Sequence, residues 1–230
     1  MRHTEALPHV IVNMAMSVDG KITTYRRERF ALGSEYDRRL MDVLRSRADA
    51  VIIGAGTVRH DGHPILIRYH DLREKRVARG RPPHPINVVL SRKLDLPPTE
   101  PIFEHPDTEK LVFTTRAAPA ARVNRFRRLA DVVVLGGRSL SPRAVLRDLY
   151  CRRVRNVLLE GGGELHFAFA KDGVVDELYI TVTPRLIGGA SAPTVLDGKG
   201  FLAARHPRLR IISSRRVGDE MFLKYRIVRD

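Results

Sequence analysis

Short apolar runs alternate with segments of helical spacing along most of the chain. The first apolar run covers residues 10–16, and β-branched runs follow at 50–53 and 86–90. Runs of this length, bounded by turn residues, are typical of buried strands. Apolar residues also recur at helical spacing over 36–47, and Ser34 begins a pattern that resembles a capping box, so a helix is predicted there.

The alternation continues through the middle of the chain. Further strands are predicted at 110–115, 131–135 and 154–160, and further helices at 117–129, from Ser141 onwards and at 164–170. Ser141 is a suitable cap, and the proline after it suits a first helical turn. Because helices follow strands regularly, the pattern favours an α/β fold with a mostly parallel central sheet that is flanked by helices on both faces.

The last part of the chain has a different pattern. Three strand-like stretches, at 174–183, 209–217 and 220–228, follow one another without a clear helix between them. These stretches are expected to finish a mixed sheet as antiparallel C-terminal strands. The segment 69–85, which is rich in Arg, Pro and His, is predicted to be an exposed loop. No linker is apparent, so residues 1–230 are predicted to form a single domain.

Composition limits the classes of function. The chain has 230 residues, of which 43% are hydrophobic, a net charge of +15 and a single cysteine, Cys151, which excludes an internal disulfide framework. Its apolar runs are shorter than the roughly 20 residues of a membrane helix, and residues 1–8 contain no signal-peptide core, so a cytoplasmic protein is expected. The cations are spread along the chain without a nucleic-acid motif, which makes nucleic-acid binding the less favoured interpretation of the charge.

Two glycine-containing segments follow predicted strands. In the first, Gly54, Gly56 and Thr57 would let a ligand approach backbone N–H groups, with the threonine adding a hydroxyl. An ordinary strand-to-loop turn would have the same composition.

The second segment is more informative because three consecutive glycines join an apolar strand to the start of a helix. Gly161, Gly162 and Gly163 would expose N–H groups at the positive end of that helix, where a pyrophosphate binds favourably. Glu160 ends the strand, at the edge where ligands of open α/β sheets lie. A turn required only for packing is the alternative.

Two further groups of residues have simpler explanations. The turn at 17–21 contains a hydroxyl, a carboxylate and an ammonium group, but Asp19 is followed by glycine, and this pair is common in turns. His60 and His63 lack an evident third ligand nearby, so no metal site is predicted.

Five ordered motifs carry a resemblance to a known family. They are Ser17-Val18-Asp19-Gly20-Lys21, Gly54-Ala55-Gly56-Thr57 with Asp61, Asn87-Val88-Val89-Leu90-Ser91, Leu159-Glu160-Gly161-Gly162-Gly163 and Pro184-Arg185-Leu186-Ile187-Gly188-Gly189. Over residues 10–228 the chain resembles the riboflavin-biosynthesis pyrimidine reductases, which include the reductase half of the bacterial bifunctional deaminase–reductase. The chain has no H-x-E and P-C-x-x-C pair, so it is expected to lack the deaminase half.

The resemblance implies a dihydrofolate-reductase-like fold, a homodimer and NADPH as the cofactor. By resemblance, NADPH would contact Thr57, Asp61, Ser91 and the stretch 162–168. The full set of candidate cofactor residues is Gly54, Gly56, Thr57, Asp61, Ser91, Arg92, Gly161, Gly162, Gly163, Glu164 and Leu165. The hydroxyl and cations of Ser91-Arg92-Lys93 would suit the 2′-phosphate of NADPH, and a simple basic strand end is the alternative.

The family's substrate contacts correspond to Arg45, Ile65, Arg68 and Glu160, and the arginines would suit a ribose phosphate. A proline near Ile65 is displaced by one position from the family pattern, so Leu66 is the other candidate for this contact. Arg45 lies on a helix with an apolar face, where an arginine that only forms a surface salt bridge is the alternative interpretation.

The implied reaction reduces a 5-amino-6-(5-phosphoribosylamino)pyrimidine, in its diaminopyrimidinone or uracil form, to the ribitylamino product. Asp61, Lys21 and Glu160 are the candidate catalytic acid–base groups, and the sequence does not rank them. One alternative is a dihydrofolate-reductase-type enzyme, in which Glu35 or Asp37 would pair with the ring. The other is a basic nucleic-acid-binding protein.

Overall fold

The computed structural model describes residues 6–229, and within this range every strand belongs to one nine-stranded sheet. Residues 1–5 and 230, including most of the segment tested for a signal peptide, lie outside the described range. The strands are β1 (His9–Ser17), β2 (Ala50–Gly54), β3 (Ile86–Leu90), β4 (Lys110–Thr115), β5 (Asp131–Leu135), β6 (Asn156–Leu159), β7 (Glu177–Thr183), β8 (Arg208–Val217) and β9 (Glu220–Val228).

The sheet is mostly parallel. Its order is β5-β4-β3-β2-β6-β1-β7-β9-β8, and the first seven strands of this order run in the same direction. Strand β9 pairs antiparallel with β7, and β8 pairs antiparallel with β9. The mixed, mostly parallel α/β sheet with antiparallel C-terminal strands is therefore confirmed. All nine predicted strands are present, although β6 and β7 are shorter than predicted.

Seven helices connect the strands within residues 6–229. They are α1 (Glu35–Arg47), α2 (Ala55–His60), α3 (His70–Val77), α4 (Pro101–Glu104), α5 (Ala120–Phe126), α6 (Pro142–Cys151) and α7 (Gly163–Lys171). Ser34 caps α1 as predicted, because its Oγ accepts a hydrogen bond from the Asp37 N–H at 3.4 Å. None of the described helices is long and apolar enough to cross a membrane.

Two connecting segments differ from what the sequence suggested. The alternative of a strand-to-loop turn after β2 does not hold, because α2 begins at Ala55, directly after the strand. The predicted exposed loop at 69–85 contains α3, in which Leu72 and Arg76 are buried. Arg76 donates to the carbonyl oxygens of Ala48 (2.6 Å) and Pro82 (2.6 Å). These hydrogen bonds of a buried cation hold α3 against the neighbouring segments.

The core lies on both faces of the sheet. In β2, Ile52 belongs to one buried cluster with Phe169 of α7, whereas Val51 belongs to the opposite cluster with Leu44 of α1. Successive strand residues point to opposite faces, so burial of both faces explains the continuous apolar run of β2.

The register of the central strands brings candidate residues together. Gly54 at the end of β2 lies opposite Leu90 at the end of β3, and Ile52 lies opposite Leu159 at the end of β6. Because these strands are parallel and adjacent, the segments that follow them leave the sheet at the same edge. This edge holds the glycine segments and Glu160.

Candidate active site

A cleft of about 1240 Å³ lies at the carboxyl ends of the parallel strands. Residues that follow β2, β3 and β6 line it, as expected for the ligand site of an open α/β sheet. Most of the predicted cofactor residues share this cleft: Gly54, Gly56, Thr57, Asp61, Arg92, Gly161, Gly162, Gly163, Glu164 and Leu165. Glu160 also lines it.

The glycine segment forms a tight cradle before α7. A Cβ atom at Gly163 would lie 2.4 Å from the Thr194 carbonyl oxygen, and one at Gly161 would lie 2.4 Å from Leu165 Cδ2. A Cβ at Gly162 would meet no atom within 4 Å. Gly162 is also the N-cap of α7, and no side chain caps this helix. The first backbone N–H groups of α7 therefore fit an anionic group such as a pyrophosphate.

Polar and cationic groups also line the cleft. Thr57 and Asp61 come from α2 and its C-cap, and Arg92 and Lys93 follow β3. Ser91 does not line the cleft, since only 1% of it is exposed. Its Oγ has no hydrogen-bond partner among the described residues. A buried hydroxyl without a partner is uncommon and fits a group that approaches the end of β3.

Glu160 is held by a bidentate ion pair with Arg45 of α1. Arg45 Nε lies 2.8 Å from Glu160 Oε1, and Arg45 Nη2 lies 2.6 Å from Glu160 Oε2. Their side chains are only 12% and 9% exposed. Burial lowers the pKa of Arg45, but Glu160 and Asp42 more than offset this and hold it above its ordinary value. The alternative of a purely surface salt bridge is therefore wrong for Arg45, because the pair is buried beside the cleft.

Asp42 is a residue of this site that the sequence reasoning missed. Its side chain is fully buried, and it contacts both predicted substrate arginines. Arg45 Nη1 lies 3.3 Å from Asp42 Oδ1, and Arg68 donates through its backbone N–H (2.6 Å) and its Nη2 (3.2 Å). The only signal in the sequence was an acidic residue one helical turn before Arg45.

The remaining candidates lie outside the cleft lining. The Ile65 side chain packs in the core with 4% exposure, whereas Leu66 offers its carbonyl oxygen to Arg45 Nη1 at 2.8 Å. Of the two alternatives, Leu66 thus lies closer to the ion pair. Lys21 directs its Nζ to the Ala192 carbonyl oxygen at 3.1 Å.

Two motifs of the resemblance contact each other through Asp19. Its carboxylate accepts from Ser17 Oγ at 2.6 Å and from the N–H groups of Ile187 (3.1 Å) and Gly188 (2.7 Å). The hydrogen bond from Ser17, followed by those from Ile187 and Gly188, lowers the pKa of Asp19 to about 2. The structural interpretation of Asp19 therefore has direct support, because it connects two loops.

An open α/β sheet with a glycine-lined cleft at the carboxyl ends of its strands is typical of nucleotide-binding enzymes. Residues 8–223 match the RibD C-terminal domain family. The chain belongs to this family and is a reductase of riboflavin biosynthesis.

Relatives that match most of the chain support this membership. The chain is 36% identical over 212 residues to a 2,5-diamino-6-ribosylamino-4(3H)-pyrimidinone 5′-phosphate reductase of Archaeoglobus fulgidus, covering 92% of this chain and 94% of the relative. A protein of the same name from Methanothermobacter thermautotrophicus is 30% identical over 221 residues, covering 96% and 98%. The riboflavin biosynthesis protein RibD of Synechocystis is 34% identical over 194 residues, but the match covers 84% of this chain and 50% of that protein.

A solved structure supports the fold. A pyrimidine reductase-like protein from Corynebacterium diphtheriae superposes with a TM-score of 0.84 at 24% sequence identity. The match covers 97% of this chain and 93% of that protein.

Proposed function

We propose that the protein uses NADPH to reduce a 5-amino-6-(5-phosphoribosylamino)pyrimidine to its 5-phosphoribitylamino product, acting as a single reductase domain. One observation carries the proposal. The glycine cradle of α7 and the buried Arg45–Glu160 pair adjoin the same cleft, so an anionic cofactor and a polar substrate have neighbouring sites there.

The residues around the cleft fit a phosphorylated dinucleotide. The uncapped N-terminus of α7 would hold the pyrophosphate, while Thr57 and Asp61 would contact the cofactor from α2 and its C-cap. Arg92 and Lys93 line the cleft, where cations would favour a 2′-phosphate over a free hydroxyl. When bound, NADPH supplies the hydride that reduces C1′ of the opened ribose.

The protein's own task is to orient the substrate and move protons. Glu160, fixed by Arg45, is suited to accept hydrogen bonds from substrate hydroxyl or ring N–H groups. Arg68 is 47% exposed and would contact the phosphate, and Leu66 lies beside it in the same segment. Asp61 lines the cleft and Lys21 lies on the adjoining turn, so both stay candidates for proton transfer during ring opening.

The relatives favour the diaminopyrimidinone form of the substrate. The Archaeoglobus and Methanothermobacter relatives, which match this chain over more than 90% of both lengths, are named for that form. We therefore expect the diaminopyrimidinone to be used better than the uracil.

NADPH oxidation with each candidate substrate tests the proposal. We expect turnover with the diaminopyrimidinone phosphate, slower turnover with the uracil phosphate and none with dihydrofolate. Turnover of dihydrofolate alone would support the rival enzyme of the same fold. Salt-sensitive retention on DNA or RNA without NADPH binding would support the nucleic-acid-binding alternative.

A homodimer formed through the C-terminal strands is part of this proposal. Strand β8 is an edge strand, and its apolar residues Leu209, Ile211 and Ile212 are 45%, 59% and 40% exposed. Edge strands with exposed apolar side chains are suited to pair with a second chain. Sedimentation analysis should show a dimer that Ile211→Glu converts to a monomer. A wild-type monomer at assay and millimolar concentrations would refute this part.

A further inference from the structure

Asp42 lies between the two arginines of the candidate substrate site. Its fully buried carboxylate contacts Arg45 Nη1 (3.3 Å), Arg68 Nε (3.3 Å) and Arg68 Nη2 (3.2 Å), and it accepts the backbone N–H of Arg68 at 2.6 Å. The carboxylate thus links helix α1 to the segment that follows α2.

The hydrogen bonds of Arg45 leave it little capacity for a second anion. Its Nε and Nη2 donate to Glu160, and its Nη1 donates both to Asp42 and to the Leu66 carbonyl oxygen. A guanidinium has five N–H donors, and four of them are used here. With only 12% of its side chain exposed, Arg45 is placed to orient Glu160 rather than to bind a phosphate directly.

Arg68 has the opposite arrangement. Its Nε and Nη2 face Asp42, and Nη2 also donates to the Arg38 carbonyl oxygen at 3.2 Å. Its side chain is 47% exposed, and its Nη1 has no hydrogen-bond partner among residues 6–229. Arg68 is therefore anchored on one side and open to an anion on the other.

We propose that Asp42 is a positioning residue that assigns the two arginines different tasks, fixing Arg45 behind Glu160 and holding Arg68 open toward the substrate phosphate. This inference rests on the proposed function. Its physical basis is that a buried carboxylate shared by two guanidinium groups restricts both of them, and a restricted donor binds its ligand without a further loss of side-chain entropy. Asp42 itself touches neither substrate nor cofactor.

The test replaces Asp42 by an isosteric neutral side chain. Asp42→Asn retains one carbonyl oxygen but turns an NH₂ group toward the guanidinium groups. We expect kcat/KM for the pyrimidine phosphate to fall about 30-fold or more, mainly through KM, because one partner of a buried charged pair is lost. The NADPH dissociation constant should stay unchanged. Asp71→Asn is the matched control, since Asp71 also pairs with an α1 arginine, Arg39, but forms its ion pairs with Arg39 and Lys75 and not with Arg45 or Arg68.

A double-mutant cycle separates positioning from general stabilisation. If Asp42 acts through Arg68, Asp42→Asn combined with Arg68→Ala should lose much less than the product of the two single losses. Multiplicative losses, or an Asp42→Asn protein that melts earlier but keeps its KM, would overturn the inference.

Two further outcomes are decisive. If Asp42→Asn does not fold, Arg68→Lys tests the same link, because an ammonium cannot contact Asp42 and a phosphate as a guanidinium does. The same rise in KM is expected, and an unchanged KM would overturn the inference.

A wild-type protein that reduces neither pyrimidine would refute the proposed function and the inference together. An active wild-type protein with an unaffected Asp42 variant would refute the inference alone.

Discussion

Both carboxylate oxygens of Glu160 are engaged by Arg45, at 2.8 Å from Nε and 2.6 Å from Nη2, at the point where β6 leaves the sheet. This geometry fixes the carboxylate in one orientation beside the glycine cradle. Glu160 therefore presents hydrogen-bond acceptors to the cleft in an orientation that is set by Arg45, a residue distant from it in the sequence.

Neutralising Glu160 should separate substrate use from cofactor binding. In Glu160→Gln the buried Arg45 loses one of its two counter-ions, which costs about 2 to 5 kcal/mol for pairs of this kind. We expect kcat/KM for the pyrimidine to fall about 30-fold or more, with NADPH affinity unchanged. Steady-state kinetics and a fluorescence titration of NADPH measure the two effects. Equal losses in both, with an intact fold, would contradict the role of Glu160.

The glycine cradle offers a matched pair of substitutions. Gly163→Ala places a Cβ 2.4 Å from the Thr194 backbone oxygen, so the segment must shift, and we expect a loss of stability of about 1 to 3 kcal/mol together with weaker NADPH binding. Gly162→Ala meets no neighbouring atom but projects a methyl group where the cleft is lined. The Gly162→Ala variant should therefore bind NADPH more weakly but keep the melting temperature of the wild type. Unchanged affinity in both variants would place the cofactor elsewhere.

The cationic end of β3 should distinguish NADPH from NADH. Arg92 lines the cleft, so Arg92→Ala should raise the dissociation constant of NADPH about tenfold, as expected for the loss of roughly 1.4 kcal/mol from one charge-assisted contact, and leave that of NADH unchanged. Arg79→Ala, which removes an equal charge from an exposed residue outside the cleft lining, is the control. If both cofactors weaken equally, Arg92 does not contact the 2′-phosphate.

Asp19 should titrate below the usual range for an aspartate. Its carboxylate is stabilised by Ser17 Oγ and by the N–H groups of Ile187 and Gly188, which lower its pKa from 3.8 to about 2. The pKa of Asp19 is lower in the folded protein than in the unfolded chain. The ionised carboxylate therefore stabilises the docked loops fully above pH 3.8, and this stabilisation is lost as the pH falls through about 2. An NMR titration should give a midpoint near 2, and Asp19→Asn should speed amide exchange at Ile187 and Gly188. A midpoint near 3.8 with unchanged exchange would contradict the assigned contacts.

The strands could be predicted from the sequence because burial of both sheet faces produces continuous apolar runs, as in β2 and β3. Helix α3 could not, because its stability depends on Arg76 binding carbonyl oxygens of two other segments, and this leaves no apolar periodicity. The glycine cradle was visible as a local pattern.

The Asp42 network was not visible in the sequence. Asp42 and Glu160 meet Arg45 from positions 3 and 115 residues away, and one acidic residue on a helix has no distinctive local pattern. The role of Arg45 similarly depends on which neighbours the folded chain brings to it, so helical position alone left two interpretations open.

The fate of the cofactor's hydride tests the central claim most directly. The protein would be incubated with the diaminopyrimidinone phosphate and NADPH that carries deuterium at both C4 positions of the nicotinamide, and the product would be analysed by mass spectrometry and NMR. We predict a ribitylamino product with a single deuterium at C1′, formed in step with NADPH oxidation. A product without deuterium at C1′, or NADPH oxidation without a ribitylamino product from either pyrimidine, would contradict the account.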